Sequence, residues 1–401
     1  MNQMRRKPTR LLITLFLIFP WLSSCADTPN PSTNDSLPET FATALKRFQA
    51  QYKLPGITAT YVLADGVSYS AAAGWADVES GAPMSVSSRM LAASIGKTFV
   101  AATTVSLARE RNIDLDAPVS NWLGHNAWFE RLPNHKSMTL RHLLTHTSGL
   151  PNHVYMPAFA EAVARQWPNP GNAFTPDVLI SFILDTSPLF SPGKGWAYSD
   201  TGYILTGLVI ESVTKRSYYE ELDERFLAPL RLDQTTPSDQ RLLANLATGY
   251  VAADNPFGFP PKTIDQNGFL AWHPGLEWTG GGLISTSRDL AHWGDALFRG
   301  RAMPAPYLDT MLDSVAIGAD APGVDYGLGI AINRSSELSP VYGHGGWIPG
   351  YSSSLRHYSQ SEITIAFQVN TDRVPQSKLS DVELCLARIV ISAGEDIACV
   401  P

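Results

Sequence analysis

Ser94 and Lys97 stand three residues apart in Ser94-Ile95-Gly96-Lys97, ahead of an uncharged run from Thr98 to Ala108. If that run is a helix, residues three apart share a face, and Lys97 lies beside Ser94 at the start of a buried segment. An unpaired ammonium is expensive there. A desolvated lysine loses its proton more easily and can take the proton of a serine nucleophile. The plainer reading is a helix N-terminus with Ser94 near the cap and Lys97 reaching to solvent. Two further clusters follow in chain order. Tyr198-Ser199-Asp200 comes just after the turn Ser191-Pro192-Gly193-Lys194-Gly195, and His344-Gly345-Gly346 lies inside Tyr342-Gly343-His344-Gly345-Gly346-Trp347. Partners in this order strengthen the catalytic reading of Ser94 and Lys97.

Those residues need a scaffold. The chain has 401 residues, 44% hydrophobic and 17% charged, ample for a large core in one or two domains. Helical spacing marks 41–52 through Phe41, Leu45, Phe48 and Tyr52. Residues 57–63 and 67–73 flank Ala64-Asp65-Gly66 and predict a β-hairpin. The helix bearing Lys97 is expected from 94 to about 112. Helical patterns then recur at 140–144, 177–184 and 203–214, between Pro- and Gly-rich loops. A Gly-rich segment at 279–283 leads to a helix over 286–298, capped near Ser285 or Ser287. Strand patterns return at 326–332, 341–347, 351–357 and 362–370, and 379–391 predicts a closing helix. Strands at both ends around a helical middle predict an α/β sandwich, an antiparallel sheet flanked by helices, with an inserted mostly helical lobe. The expected division is 40–112 plus 275–401 for the discontinuous α/β domain and 113–274 for the lobe. A cleft between lobes is a preferred place for a pocket.

The charge balance limits the partners. Formal net charge is −7, and residues 1–24 carry Arg5, Arg6, Lys7 and Arg10 with no acid, so the remainder is four charges more acidic. That argues against nucleic acid and against an anionic membrane surface as partners. The basic start followed by the apolar stretch 11–22, which Pro20 interrupts, reads as an export signal over 1–24. It is too short to span a bilayer comfortably. Leu22-Ser23-Ser24-Cys25 resembles a bacterial lipobox, in which Cys25 carries lipid and becomes the new N-terminus; ordinary cleavage near Ser24 or Ala26 is the alternative. A lipid anchor would hold the protein on a membrane surface without a spanning helix. Ala26 rather than Asp after Cys25 then points to periplasmic retention at the outer membrane. Residues 25–39 are rich in Pro, Ser, Thr and Asn and read as a flexible tether. In an oxidising compartment Cys385 and Cys399 either pair or remain as two buried thiols.

The motifs together resemble the serine β-lactamase and penicillin-binding-protein superfamily, on the branch shared by class C β-lactamases, D-Ala-D-Ala carboxypeptidases, D-aminopeptidases and carboxylesterases. Ser94-x-x-Lys97 matches its first motif, Tyr198-x-Asp200 the position of Tyr-x-Asn, and His344-Gly345-Gly346 the Lys-Thr-Gly strand in its His-x-Gly form. Leu140-Arg141-His142-Leu143-Leu144-Thr145-His146-Thr147-Ser148-Gly149-Leu150, Gly281-Gly282-Leu283-Ile284-Ser285-Thr286 and Tyr326-Gly327-Leu328-Gly329 also resemble family landmarks. The resemblance implies a Ser94 acyl-enzyme, with Lys97 and Tyr198 moving the protons. It implies an oxyanion hole from the backbone N–H groups of Ser94 and Trp347, and substrate contacts from Asp200, His344, Gly345 and Gly346. No cofactor is implied.

Two departures bear on substrate. Asp200 replaces an amide donor with a carboxylate that offers none when ionised, and it can pair with Lys97. His344 replaces a permanent cation that would hold a substrate carboxylate. Both point to esters or small acyl amides, with D-Ala-D-Ala carboxypeptidase-like or weak β-lactamase activity as the runner-up. A non-catalytic penicillin-recognising module of the cell envelope is the alternative from another class. His142 and His146 have the i, i+4 spacing of metal ligands but lack the zinc-protease Glu, so they read as structural and no metal is expected. Trp272, Trp278 and Trp347 are candidates to line an acyl pocket. There is no G-x-S-x-G elbow, which disfavours an α/β-hydrolase triad.

Overall fold

Nine antiparallel strands form one sheet in the computed structural model, which describes residues 36–394 other than 112, 167–170, 172 and 320. Their spatial order is Ala82–Pro83, Ser68–Asp77, Gly56–Val62, Ile363–Val369, Tyr351–Tyr358, Val341–Ile348, Ala331–Asn333, Val324–Tyr326 and Val315–Ala316. The N-terminal hairpin thus pairs with the last strand, at the register Ala59 to Phe367. A second, three-stranded sheet joins Met90–Leu91, Leu283–Ser285 and Thr236–Pro237.

The central strand Gly56–Val62 is buried along its whole length, so both of its faces must be covered. Ile57, Ala59 and Tyr61 join one hydrophobic cluster with Phe41, Leu45 and Leu386, supplied by the helices Ser36–Gln51 and Gln376–Ile391. On the alternate face Thr60 hydrogen-bonds Ser287 at 3.1 Å, at the start of the helix Ser287–Phe298. Behind that helix lies Gly96–Glu110: the Trp293 ring stacks on Phe99 at 4.0 Å and donates its N–H to Thr98 at 2.8 Å. The sheet flanked by helices is the architecture the periodicities predict.

Several boundaries differ from expectation for local reasons. The first described helix begins at Ser36, inside the segment expected to be a tether. Ser94 lies in a 3-10 turn, Ala93–Ile95, and the α-helix starts at Gly96. The cap of Ser287–Phe298 is Thr286, not Ser285 or Ser287: the Ser285 hydroxyl is engaged with Thr235 at 2.7 Å, and Thr286 accepts from the Asp289 N–H at 3.2 Å. The strand expected over 326–332 is broken into Val324–Tyr326 and Ala331–Asn333. Gly329 explains the break. It holds φ +71°, and a Cβ there would lie 2.7 Å from the Lys97 carbonyl oxygen, so the chain leaves the sheet to press against the helix carrying Lys97. Cys385, on the last helix, is disulfide-bonded; Cys25 and Cys399 both lie outside the described residues. No helix among the described residues is long and apolar enough to cross a membrane.

Candidate active site

Ser94 is held at a bend that the backbone cannot leave freely. Ala93 has φ +49°, a region non-glycine residues enter only where their surroundings impose it. Gly281 supplies the constraint, since a Cβ at that position would lie 2.5 Å from the Ala93 carbonyl carbon. The next turn carries Lys97, which has no exposed side-chain surface. Its Nζ donates to Ser94 Oγ at 3.1 Å, to Asp200 Oδ1 at 2.5 Å and to the Gly280 carbonyl oxygen. Three acceptors around one nitrogen suit the three donors of an ammonium.

Asp200 is the first residue of the helix Asp200–Thr214, where a helix N-terminus favours a carboxylate. Asn152 donates to its second oxygen at 3.1 Å. Burial alone would raise this carboxyl, but the charge and hydrogen bond of Lys97 outweigh it and hold the group below the usual carboxylate range. Tyr198 sits two residues earlier, with Lys97 Nζ 4.9 Å from its ring centre. Its hydroxyl is buried and completes no hydrogen bond. Burial, then the Asp200 charge, push this phenol well above its ordinary value, and proximity to Ser94 only partly opposes them. Tyr198 therefore rests as a neutral acid.

The strand Val341–Ile348 forms the opposite bank. It pairs with Tyr351–Tyr358 along its length but with Ala331–Asn333 only through Val341 to Gly343, so among the described residues no strand covers its second edge from His344 onward. A Cβ on Gly346 would lie 2.3 Å from the Ala92 carbonyl oxygen, which is why this bank can approach the Ser94 turn so closely. His344 lines the cleft, yet both ring nitrogens are turned into protein: Nδ1 meets the Gly345 carbonyl at 2.6 Å and Nε2 the Tyr326 hydroxyl at 2.8 Å. A carbonyl cannot donate, so Nδ1 carries the proton and Nε2 accepts from Tyr326. Burial, and next the Lys97 charge, pull this imidazole down to about 3. It is neutral at physiological pH and offers a substrate carboxylate no cation.

Ser94, Tyr198, Asp200, His344, Gly345, Gly346 and Trp347 thus face one cleft of about 350 Å³, with Lys97 beneath it. The beta-lactamase family model matches residues 41–385, most of the chain and the whole of this site. The chain belongs to the beta-lactamase family. It is 26% identical over 322 residues to a penicillin-binding protein of Bacillus subtilis (strain 168), spanning 78% of this chain and 68% of that protein. It is 27% identical over 309 residues to esterase EstB of Burkholderia gladioli, spanning 69% and 74% of the two chains. Among solved structures it resembles a D-stereospecific amidohydrolase from Streptomyces sp., with a TM-score of 0.73 at 30% identity, covering 86% of this chain and 98% of that one.

Beyond the motif residues, this beta-lactamase-family cleft has a wall that the sequence disclosed only in part. Tyr155, Phe159, Phe257, Phe259, Trp272 and Trp347 make it aromatic. Trp272 and Trp347 line the cleft as expected of them, but Trp278 does not; its ring packs on Gly207, where a Cβ would lie 2.8 Å from it. Asn152, His153 and Glu277 also face the site. No motif spacing marks them, because each reaches the cleft from a loop or short 3-10 turn placed by distant packing. His142 and His146 serve structure. His142 closes a capping box with Thr139, and the His146 ring packs 4.2 Å from Tyr198 and accepts from the Ser199 N–H at 3.2 Å. Among the described residues no group of three or more His, Cys, Asp or Glu side chains could hold a metal ion.

Proposed function

We propose that the protein is a serine hydrolase working through a Ser94 acyl-enzyme, preferring esters or small acyl amides with an apolar acyl portion. The observation that carries this reading is Lys97 Nζ, placed between the Ser94 hydroxyl and the Asp200 carboxylate. As Ser94 Oγ bonds to the substrate carbonyl carbon, its proton passes to Lys97 while a lysine proton crosses to Asp200 Oδ1. The carbonyl electron pair moves to the oxygen, which the backbone N–H groups of Ser94 and Trp347 would hold. Tyr198, a phenol with an uncommitted hydroxyl, protonates the departing alcohol or amine and regains a proton from the Lys97–Asp200 pair. Water then repeats the sequence on the acyl-enzyme, with Ser94 as leaving group.

The same geometry supports esters and small amides over β-lactams or peptides with a free carboxylate. Asp200 presents no amide donor, and His344 is neutral with both nitrogens engaged. The esterase and amidohydrolase among the similar proteins agree with that preference. The test is a rate comparison of wild type and Ser94→Ala on p-nitrophenyl butyrate, a chromogenic cephalosporin and a D-Ala-D-Ala peptide. Ser94-dependent turnover of the ester above the other two is expected. Dominance of the cephalosporin or the peptide overturns the preference, and a folded wild type that gains no adduct mass from a fluorophosphonate overturns the acyl-enzyme. The basic start, apolar stretch and Cys25 support export and lipid attachment. Incorporation of labelled palmitate that Cys25→Ala abolishes is the expected result, and labelling that persists in the variant refutes it.

A further inference from the structure

Three polar atoms on the aromatic wall are buried without a partner: Glu277 Oε2, His153 Nε2 and Trp272 Nε1. Buried polar groups are nearly always satisfied, and each of these belongs to a residue lining the cleft. Two are acceptors. The Thr201 hydroxyl donates to the Pro151 carbonyl at 3.1 Å, so it can only accept from His153 Nδ1, 3.0 Å away. The His153 proton is thereby assigned to Nδ1, and Nε2 is left as a bare lone pair. Burial pulls this imidazole down to about 4, which keeps it neutral.

Glu277 has the stronger need. The charged or titrating groups that act on it are Lys97, Asp200, Tyr198 and Tyr219. Lys97 is the sole cation of the four, and its three donors already serve Ser94, Asp200 and Gly280. Burial pushes the Glu277 carboxyl up to about 8, with Lys97 opposing and Asp200 reinforcing. Among the described residues nothing completes this group, although it lines the same cleft as Ser94, walled by aromatic rings whose faces also attract cations.

We propose that Glu277 is a specificity residue that receives an ammonium group on the acyl portion of the substrate, with the aromatic wall holding an apolar side chain next to it. On the reading of the site as a serine hydrolase, on which this inference rests, the preferred substrates are esters or amides of an amino acid with an unblocked amino group and an aromatic or aliphatic side chain. The ammonium brings donors only, which is what Glu277 Oε2 and His153 Nε2 lack.

The test compares phenylalanine methyl ester, in both hands, with 3-phenylpropionate methyl ester, which differs by the amino group alone. Wild type is expected to favour one amino ester in kcat/KM by about tenfold or more, the scale of a hydrogen bond to a charged group. In Glu277→Gln that ratio falls toward one through KM, and Glu277→Asp, which keeps the charge on a shorter arm, retains part of it. A second measurement avoids turnover: calorimetric binding of phenethylamine to Ser94→Ala, expected to be tighter than that of 2-phenylethanol. Equal ratios in wild type and Glu277→Gln, or equal binding of the amine and the alcohol, overturn the ammonium site while leaving Ser94-dependent ester hydrolysis standing. Loss of Ser94 dependence for both esters overturns the hydrolase reading and this inference with it.

Discussion

The floor and the wall of the cleft are built on opposite principles. On the floor every charge is matched inside the protein: Lys97 meets three acceptors, and Asp200 is held by Lys97 and Asn152. On the wall Glu277, His153 and Trp272 each bury a polar atom with no match. A satisfied network fixes one geometry and resists displacement, which suits groups that must align on a reacting carbonyl. Unsatisfied groups carry a standing penalty that a ligand can relieve. The comparison separates a region whose charges are paired before substrate arrives from one completed by substrate.

The largest effect that can break the comparison is on the floor. Ser94→Ala should leave below about 1% of wild-type turnover with an unchanged melting profile, as removal of a covalent nucleophile does. A higher residual rate would mean another nucleophile. Lys97→Met comes next, because it damages both activity and fold. Breaking a buried pair strands the remaining charge, and about 3 kcal/mol of stability should be lost. The figure sits at the low end of the usual range because a fifth of the Asp200 side chain is open to the cleft. Chemical denaturation measures it. A variant as stable as wild type would show that the Lys97–Asp200 pair does not anchor the floor.

Asp200→Asn sharpens the comparison by removing charge while keeping shape. Tyr198 loses the second largest cause of its raised value, so the alkaline limb of the pH–rate profile should move to lower pH. Activity on amides should rise relative to esters as an amide donor appears. Stability gives an independent reading. Asp200 is held below the usual carboxylate range, so its contribution is present above about pH 4, the unfolded value, and disappears as pH falls through the folded one. Asp200→Asn should show a shallower loss of Tm on acidification. An unchanged profile, ratio and acid slope together would remove Asp200 from the machinery.

The same division explains what could be read from the chain. Ser94, Lys97, Tyr198, Asp200 and His344 stand at starts of rigid elements or along one strand, and short local spacings carry their signatures. The sheet was legible because alternating and buried runs such as 57–63 and 362–370 report their faces directly. The wall was not. Asn152, His153 and Glu277 arrive on turns whose direction is decided by long-range packing, and a lone Glu in Leu276-Glu277-Trp278 carries no local sign of burial. Trp278 and Trp272 make the same point: two tryptophans six residues apart are alike in sequence, yet one packs on Gly207 and the other faces the cleft. His344 was read as a substrate contact from its place in the motif, while its engagement with Tyr326, on a separate strand, has no local sign in the sequence.

The smallest effect tests the wall without substrate. Burial raises Glu277 to about 8, above its unfolded value of about 4.3. Between those values the folded protein binds a proton that the unfolded chain has released, so this residue makes stability fall as pH rises. Glu277→Gln keeps the size and removes the titration. Its melting temperature should therefore gain on wild type as pH goes from 5 to 8, by a few degrees in a domain of this size. The opposite trend would mean that Glu277 is already ionised and paired in the folded protein, which would place it with the floor. A gain at pH 8 that phenethylamine erases, by stabilising wild type and not Glu277→Gln, would tie the unmet carboxyl to the cation it is built to receive, because a ligand that binds only the folded state raises its stability by mass action.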